Sequence, residues 1–360
     1  MPPSQRRKQK HTTSSRVSLA MVAAHAKVST ATASRIINGI TNKASEQTIL
    51  KVKKAVEELG YRPASVGRAL RCQESRMVGV LAASLANPAM SAIASSIELA
   101  LRDEGYIMSL CDTHEEAKIQ DEYLREMQSQ LARSVVIIGA VQSELLTDYR
   151  SSDTTLLFIN RPAPDQENSY YVGINNYQAG VDVANLLLQH GKKNIGIIHA
   201  SLNFTAAVER RRGLLDKLSE AGIYPDDIPH AHVAGLNHLE VGYKSMQTFL
   251  DMPKRPDVIV CLSDMLAYGA YRQTQEAGLD PTSDITFFGF DDNPLNPWIA
   301  HWLNSVGVPA NLYGPATLAT LKAIWHHSPP TEPVYLPHQF RLNKEFIESD
   351  PRAQTAEKSV

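Results

Sequence analysis

The sequence predicts a chain in two unlike parts: an N-terminal all-α headpiece of helix-turn-helix type, then a C-terminal α/β body whose two lobes each carry a parallel, doubly wound sheet. Charge separates the parts. Residues 1–76 hold 15 Lys or Arg against 4 Asp or Glu, a net of +11, while residues 77–360 hold 21 against 34, a net of −13. Within residues 17–62 apolar residues recur at helical steps of three and four. From residue 77 onward short apolar runs alternate with amphipathic stretches, the pattern of strand and helix around parallel sheets. A small basic module joined to a larger acidic body fits a polyanion-binding unit carried by a sensing or catalytic one.

With 360 residues, 43% of them hydrophobic and 21% charged, the chain is long enough for two or three domains. Its composition excludes a wholly disordered, collagen-like or coiled-coil protein. The opening run, Met1 to Arg16, is basic and lacks the apolar core of a signal peptide. No run of about eighteen apolar residues occurs, so a soluble, cytoplasmic protein is expected. Cys72, Cys111 and Cys261 are odd in number and too far apart for a paired metal or redox motif, which fits reduced thiols.

In the headpiece Ser18 can cap a first helix carrying Leu19, Val22, Ala23 and Ala26 on one stripe. Ser29 can cap a second, Thr30 to Asn38, with Ala33, Ile36 and Ile37 inward. Only Lys27-Val28-Ser29 separates them, the short turn of a helix-turn-helix crossing with Val28 plugging the gap. Ser45 caps a third helix, in which Ile49, Val52, Val56 and Leu59 recur, ended by Gly60 and Pro63. Thr30, Ala31 and Arg35 then face outward from the second helix. Arginine can pair bidentately with guanine, and a small methyl-bearing side chain can touch a thymine methyl. Ser29, Thr32, Ser34 and Asn38 are short donors suited to phosphates. The helical pattern alone also fits a three-helix interaction domain with a solvated basic face; the net charge of +11 favours nucleic acid.

The run Val17 to Ala23, the run Val28-Ser29-Thr30-Ala31-Thr32-Ala33-Ser34-Arg35-Ile36-Ile37-Asn38-Gly39 and the run Leu59-Gly60-Tyr61-Arg62-Pro63 resemble the DNA-binding headpiece of the lac repressor family of bacterial transcription regulators. The resemblance implies DNA contacts from Ser18, Ser29, Thr30, Ala31, Thr32, Ser34, Arg35, Asn38 and Tyr61. Two residues depart from the family pattern: Lys27 stands where a turn Gly is usual and Met21 where Asp is. A Lys in a left-handed turn carries about 1 kcal/mol of strain. The segment from Pro63 to Arg76 has no apolar stripe, and Gly67 costs a helix roughly 1 kcal/mol, so it is a poor autonomous helix. The resemblance implies a hinge helix that pairs with its two-fold mate in the minor groove, with Arg68 and Arg71 on the DNA and Leu70 wedged between base steps. A plain linker with Leu70 packed on the body is the alternative.

In the body, strands are expected at Val78–Ala82, Ile107–Cys111, Val135–Ala140, Thr155–Asn160, Ile195–Ala200, His232–Ala234, Val258–Leu262 and Ile285–Phe290. Helices are expected at Ala92–Glu104, Lys118–Leu131, Gln178–His190, Ala206–Ala221, Glu240–Leu250 and Leu266–Ala277. Ligands of such folds sit beyond the carboxyl ends of strands. Ser84 to Met90 lie there, as do Asn203 and Thr205 with Arg210-Arg211-Arg212-Gly213, Ser263-Asp264 and Asp291-Asp292-Asn293. Together they offer donors and acceptors to a hydroxyl-rich ligand, with Trp298 or Tyr177 as stacking faces. Singly, Asp264 and Asp292 could be helix caps and the arginines a solvated face. Asn87-Pro88, Arg210-x-x-Gly213, Ser263 to Ala270 and Gly289 to Asp292 also resemble the family's effector domain, a two-lobed relative of periplasmic sugar-binding proteins. That implies effector contacts from Arg210 and Asp291, with Asn87, Met90 and Ser263 beside them. Ala89-Met90 replaces an aromatic pair, and Ser84 and Asn175 each replace an Asp, so the ligand need not be one of the family's familiar sugars.

No Gly-x-Gly-x-x-Gly, phosphate-loop or Gly-x-Ser-x-Gly motif occurs. His230-x-His232 and His326-His327 lack companion ligands, and adjacent Asp291 and Asp292 should point apart. No enzyme activity, cofactor or metal is expected. The organisation expected is a basic tail (1–16), a helix-turn-helix domain (17–62), a hinge (63–76), an effector-binding and dimerisation domain (77–346) and a polar tail (347–360). The last lacks a Leu heptad, so no coiled-coil tetramer is expected. The function expected is a ligand-responsive repressor that binds near-palindromic double-stranded operator DNA as a homodimer on the cytoplasmic nucleoid. A sugar, sugar acid or polyol is the favoured effector, with a nucleobase open. A stand-alone sugar-like sensor without operator binding is the alternative.

Overall fold

The computed structural model describes residues 17–61, 75–149, 155–164, 169–202, 205–235, 237–281 and 283–349. The chain divides into two compact units, residues 1–75 and 76–360.

The first unit holds α1 (Leu19–His25), α2 (Thr30–Ile37) and α3 (Glu46–Leu59). Ser18, Ser29 and Ser45 are their N-caps, each hydroxyl accepting from the backbone N–H three residues on, at 3.3, 3.1 and 3.3 Å. Val22, Ala23, Ala26, Ala33, Ile36, Val52 and Ala55 form the buried core, with Val28 packed on it from the turn. The second helix is one residue shorter than expected. Asn38 is its C-cap, and its Nδ2 donates to the Ser34 carbonyl at 2.8 Å. Lys27 sits in the left-handed region at φ 54, the strained conformation anticipated for the turn. Gly60 closes α3 at φ 61.

In the second unit the chain first lays down β1 (Met77–Ala82), α4 (Pro88–Asp103), β2 (Ile107–Asp112), α5 (Ala117–Ser129), β3 (Ser134–Ile138), α6 (Glu144–Tyr149), β4 (Thr155–Ile159) and β5 (Tyr170–Gly173). It then crosses to a second lobe: α7 (Asn176–Gln189), β6 (Ile195–Ile198), α8 (Thr205–Glu220), β7 (His230–Ala231), α9 (His238–Leu250), β8 (Val258–Cys261), α10 (Asp264–Glu276), β9 (Thr286–Phe290), α11 (Asn296–Ile299) and β10 (Asn304–Gly307). It returns for α12 (Tyr313–Trp325) and β11 (Val334–Tyr335), and crosses a third time into β12 (Gln339–Arg341) and α13 (Lys344–Glu348).

The first sheet has the order β11-β5-β4-β3-β1-β2 and is parallel throughout; the second has the order β12-β10-β9-β8-β6-β7, with β12 alone antiparallel. In each sheet an early strand, β1 or β6, is flanked by the strand that follows it and by a later one on the other side. The loops after it and after that later neighbour therefore diverge and leave a crevice at the carboxyl edge. β3, β6 and β8 are buried along their whole length, which is why they read as continuous apolar runs.

Four strands escape that pattern. β10 reads Asn-Ser-Val-Gly yet is fully buried, because Asn304 donates to the Phe287 carbonyl at 3.1 Å and Ser305 to Asp264 at 2.7 Å. β5, β11 and β12 are two to four residues long. The seventh strand lies at His230–Ala231 rather than His232–Ala234, its register set by pairing with Ile197 and Ile198. Helix α4 begins at Pro88, four residues before the expected Ala92, because Asn87 caps it by accepting from the Ala89 N–H at 3.0 Å and Pro suits the first turn. Among the described residues no helix is long and apolar enough to cross a membrane.

Replacing Lys27 with Gly removes the side chain from a left-handed position. It should stabilise the first unit by about 1 kcal/mol, less the added freedom of the unfolded chain; urea unfolding of the full chain, followed by a signal from the headpiece, measures this.

Candidate functional site

Residues from both lobes close on one pocket in the second unit. Asn87, Met90, Asn160 and Arg161 come from the first lobe; Ala206, Arg210, His238, Ser263 and Asp291 come from the second. All five residues read from the sequence as effector contacts line it. A wider mouth of about 430 Å³ shares Asn87, Met90 and His238 and adds Glu115, Asn237 and Met265. On the inner side Arg210, Asp291 and Asn160 also border a small recess with Asp292 and Tyr313.

Arg210 is carried into the cleft by α8, which packs closely on α7 at Gly213 and Gly180. A Cβ on either glycine would strike the backbone of the facing helix. Arg210 donates from Nε to Asn176 Oδ1 at 2.8 Å, from Nη1 to the Leu262 carbonyl at 2.9 Å and from Nη2 to Asp291 Oδ1 at 3.0 Å. Its guanidinium lies 4.9 Å from the centre of the Phe290 ring. Across the cleft Arg161 donates to the Gly139 and Ala140 carbonyls at 3.0 and 3.3 Å and to Glu115 Oε1 at 3.0 Å. Burial lowers the Arg161 pKa and the Glu115 charge opposes that. His238 stands between the lobes, with Nδ1 3.4 Å from Ser263 Oγ and Nε2 3.8 Å from Glu115 Oε2. Burial favours its neutral form.

Backbone strain gathers at the same edge. His114 and Glu115 after β2, Asn160 after β4, and Asp291 and Asp292 after β9 all have φ between 46 and 108. Non-glycine residues hold such angles at a cost of roughly 1–3 kcal/mol each, and such positions concentrate at binding sites.

Behind the pocket Asp264 is fully buried. It accepts from Ser305 Oγ at 2.7 Å and from the Asn293 N–H and Asn296 Nδ2 at 2.8 Å each. Burial, then the charge of Asp291, push its pKa up to about 7 against these three donors. Asp264 therefore ties down the loop that carries Asp291. It caps no helix: Ser263 is the N-cap of α10. Asp292 turns away from Asp291 and forms a two-point ion pair with Arg341 at 2.6 and 3.2 Å.

The stacking faces anticipated at the pocket are not there. Trp298 is 81% exposed on α11 and Tyr177 lies under Arg212, donating to Asp216 at 3.1 Å. The arginine triplet splits because consecutive helical residues lie about 100° apart, so Arg210 points into the cleft while Arg212 is exposed. Thr205 lies at the start of α8 and donates to the Pro162 carbonyl at 3.1 Å; Asn203 lies outside the described residues. His230 and His232 pack around buried His199. Among the described residues no group of three or more His, Cys, Asp or Glu side chains is placed to hold a metal.

Sequence reading missed Asn160, Arg161, Glu115, His238 and Tyr313. The signal for the first two was the carboxyl end of β4, which the same strand-end rule covers; Glu115, just past β2, is equally within its reach. His238 and Tyr313 come from helix starts remote from any motif.

In the first unit Ser18, Ser29, Thr30, Ala31, Arg35 and Asn38 are exposed, whereas Thr32, Ser34 and Tyr61 are half-buried. Ser29 Oγ lies 2.8 Å from Thr32 Oγ1, and Tyr61 packs on the headpiece core. Arg68, Leu70 and Arg71 lie outside the described residues.

Residues 78–325 match the periplasmic binding protein domain family, and residues 18–64 match the bacterial regulatory proteins of the lacI family. The chain is 29% identical over 289 residues to the HTH-type transcriptional repressor CytR of Escherichia coli strain K12, covering 80% of this chain and 84% of that one. It is 28% identical over 301 residues to the repressor PurR of Aliivibrio salmonicida, covering 83% and 90%. Among solved structures it is similar to a lac repressor dimer bound to operator and the anti-inducer ONPF, with a TM-score of 0.78 at 21% identity over 91% of this chain and 98% of that one. It is also similar to a CelR–cellobiose complex, with a TM-score of 0.66 at 23% identity over 91% and 99%. A two-lobed binding body carried with a helix-turn-helix unit is the architecture of a bacterial transcription regulator. The chain belongs to the lacI family of bacterial regulatory proteins.

Removing Arg210 leaves the buried Asp291 carboxylate without its cation, so Arg210→Ala should cost about 3 kcal/mol in stability. Asp291→Ala should be comparably costly, and the double variant should fall short of the sum by more than about 1 kcal/mol; denaturant unfolding of the four proteins gives the cycle. Asp264 has a folded pKa above its unfolded value, so its contribution is present below pH 3.8 and is lost as pH rises through about 7. The unaltered chain should lose stability relative to Asp264→Asn as pH rises across that window, as paired denaturant unfolding of the two proteins would show.

Proposed function

We propose that this chain represses transcription by binding a near-palindromic double-stranded operator as a homodimer, and that a small hydroxyl-rich effector seated between the lobes changes that affinity. The observation that carries the reading is the pairing, in one chain, of an exposed and capped α2 face on a basic unit with a cleft that collects Asn87, Met90, Arg210, Ser263 and Asp291. Arg35 is the base-reading residue, with Thr30 and Ala31 beside it. Ser18, Ser29, Thr32, Ser34, Asn38 and Tyr61 serve the phosphates and the docking of α2. Residues 63–76 act as the hinge, with Arg68, Leu70 and Arg71 on the minor groove.

Apolar side chains on the second unit support a second copy as partner. Ile107 and Leu110 are exposed on the edge strand β2, and Trp298 and Ile299 on α11; exposed apolar surface of this kind marks association. A two-fold dimer presents two headpieces to two half-sites. Effector and operator then change each other's affinity by the same factor, because the coupling free energy belongs to the pair. This activity places the chain in the cytoplasm, where the DNA is.

Binding of the purified chain to its own upstream region, at two salt concentrations and with a panel of hydroxylated compounds, tests the reading. Selective binding that weakens steeply with salt and shifts with one compound is expected. Loss of all DNA preference with a compound still bound leaves a stand-alone sensor instead. Arg35→Ala should cost roughly 1–3 kcal/mol on the operator and little on random DNA; equal loss on both makes Arg35 a phosphate contact.

A further inference from the structure

We propose that a second cavity, beside the segments where the chain crosses between the lobes, binds a small organic cation: an amine or quaternary ammonium carrying an apolar body. The cavity measures about 180 Å³ and is walled by Tyr171, Tyr177 and Tyr335 with Pro162 and Pro333. It shares no residue with the cleft pocket or its mouth, and only Ile174 with the recess that Arg210 borders.

The order of the chain builds these walls. Tyr171 lies on β5, and Tyr335 lies on β11, which pairs in parallel with β5. Tyr177 and Glu209 come from the early turns of α7 and α8 in the second lobe. The Tyr171 and Tyr335 rings meet edge to face, with 6.0 Å between centres at 66°. Tyr171 is buried and fixed by donating to the Ile174 carbonyl at 2.8 Å, whereas Tyr335 is 54% exposed and free to close on an occupant.

Charge decides what that occupant is. Among the described residues that line the cavity Glu209 alone is charged. Tyr177 donates its hydroxyl to Asp216 at 3.1 Å, and the charge of Glu220 also reaches it. Aromatic faces beside a carboxylate attract a cation, because the ring quadrupoles and the carboxylate act in the same sense. The protein's own Arg212 displays that attraction. Its guanidinium lies 4.8 Å from the centre of the Tyr177 ring and pairs with Glu209 at 2.6 Å. Arg212 is 57% exposed, and an exposed pair three residues apart on one helix contributes little, so an incoming cation can take its place and leave the guanidinium in water. An anion would instead meet Glu209 and Asp216 with no cation on the walls. A neutral molecule gains the apolar walls but leaves the carboxylate without a new partner.

Calorimetric titration of the full chain with choline, benzyltrimethylammonium and neohexyl alcohol, the uncharged isostere of choline, tests this. Both cations should bind, with the alcohol weaker than choline by roughly tenfold or more. Arg212→Ala removes the internal competitor and should raise the affinity for both cations by about threefold or more, a gain that misfolding cannot imitate. Glu209→Gln should lower cation affinity by roughly tenfold while leaving that of the alcohol unchanged. Tyr335→Ala should weaken the cations by about fivefold. An alcohol that binds as tightly as choline makes the cavity a plain apolar site and overturns the proposal. Cation binding indifferent to Arg212→Ala and Glu209→Gln puts the cation elsewhere and overturns it as well. So does the absence of cation binding from both the unaltered chain and Arg212→Ala.

Discussion

Two arginines buried between the lobes impose the constraint on which the rest of the second unit depends. A guanidinium cannot be taken out of water unpaired, and its partner must be held where the pairing geometry is good. Arg210 meets that demand with an amide oxygen, a carbonyl and a carboxylate, and each comes from a different element: Asn176 at the start of α7, Leu262 after β8 and Asp291 after β9. The ion pair thus ties three segments to α8, and the second lobe's cleft wall is as ordered as those segments are. Arg161 does the same in the first lobe with the loops after β3 and β2.

Supporting contacts keep the carboxylates in place. Asp264 anchors the loop after β9 through Asn293 and Asn296 and ties it to β10 through Ser305, and Arg341 fixes Asp292 from β12. The residues at the strand ends accept left-handed backbone angles under this constraint. The glycine crossing of α7 and α8 brings the helices close enough for Arg210 to reach Asn176. Strain and close packing are concentrated at the edge of the cleft, and regular elements elsewhere absorb the cost.

Much of this was legible in the chain because local rules agree with the final fold. Serine caps at Ser18, Ser29 and Ser45 mark helix starts by satisfying orphan N–H groups, and they do so in any context. The runs at β3, β6 and β8 read as strands because both faces are buried. Legibility fails where a residue's state depends on a distant partner. Asn304 and Ser305 look like loop residues, and Trp298 looks like a pocket aromatic, because composition does not say which side of an element meets the cleft. Of the cleft, Arg210, Asp291, Asn87, Met90 and Ser263 were readable from motifs at strand ends. Asn160, Arg161 and Glu115 lie just past strand ends, within reach of the same rule but singled out by no motif, whereas His238 and Tyr313 sit at helix starts that no rule marks; all five converge only when two lobes built from interleaved segments close on each other.

The sequence by itself determined the division into a basic helical unit and an acidic α/β body, the caps and turns of the headpiece, and the strand-end positions from which polar side chains could meet a ligand. These follow from periodicity, capping and charge, which act over a few residues. Only the tertiary structure decided which charges are spent. Arg210 and Asp291 are 81 residues apart, and Arg161 and Glu115 are 46 apart. Whether such groups neutralise each other or wait for a ligand depends on distances of about 3 Å that no local rule contains.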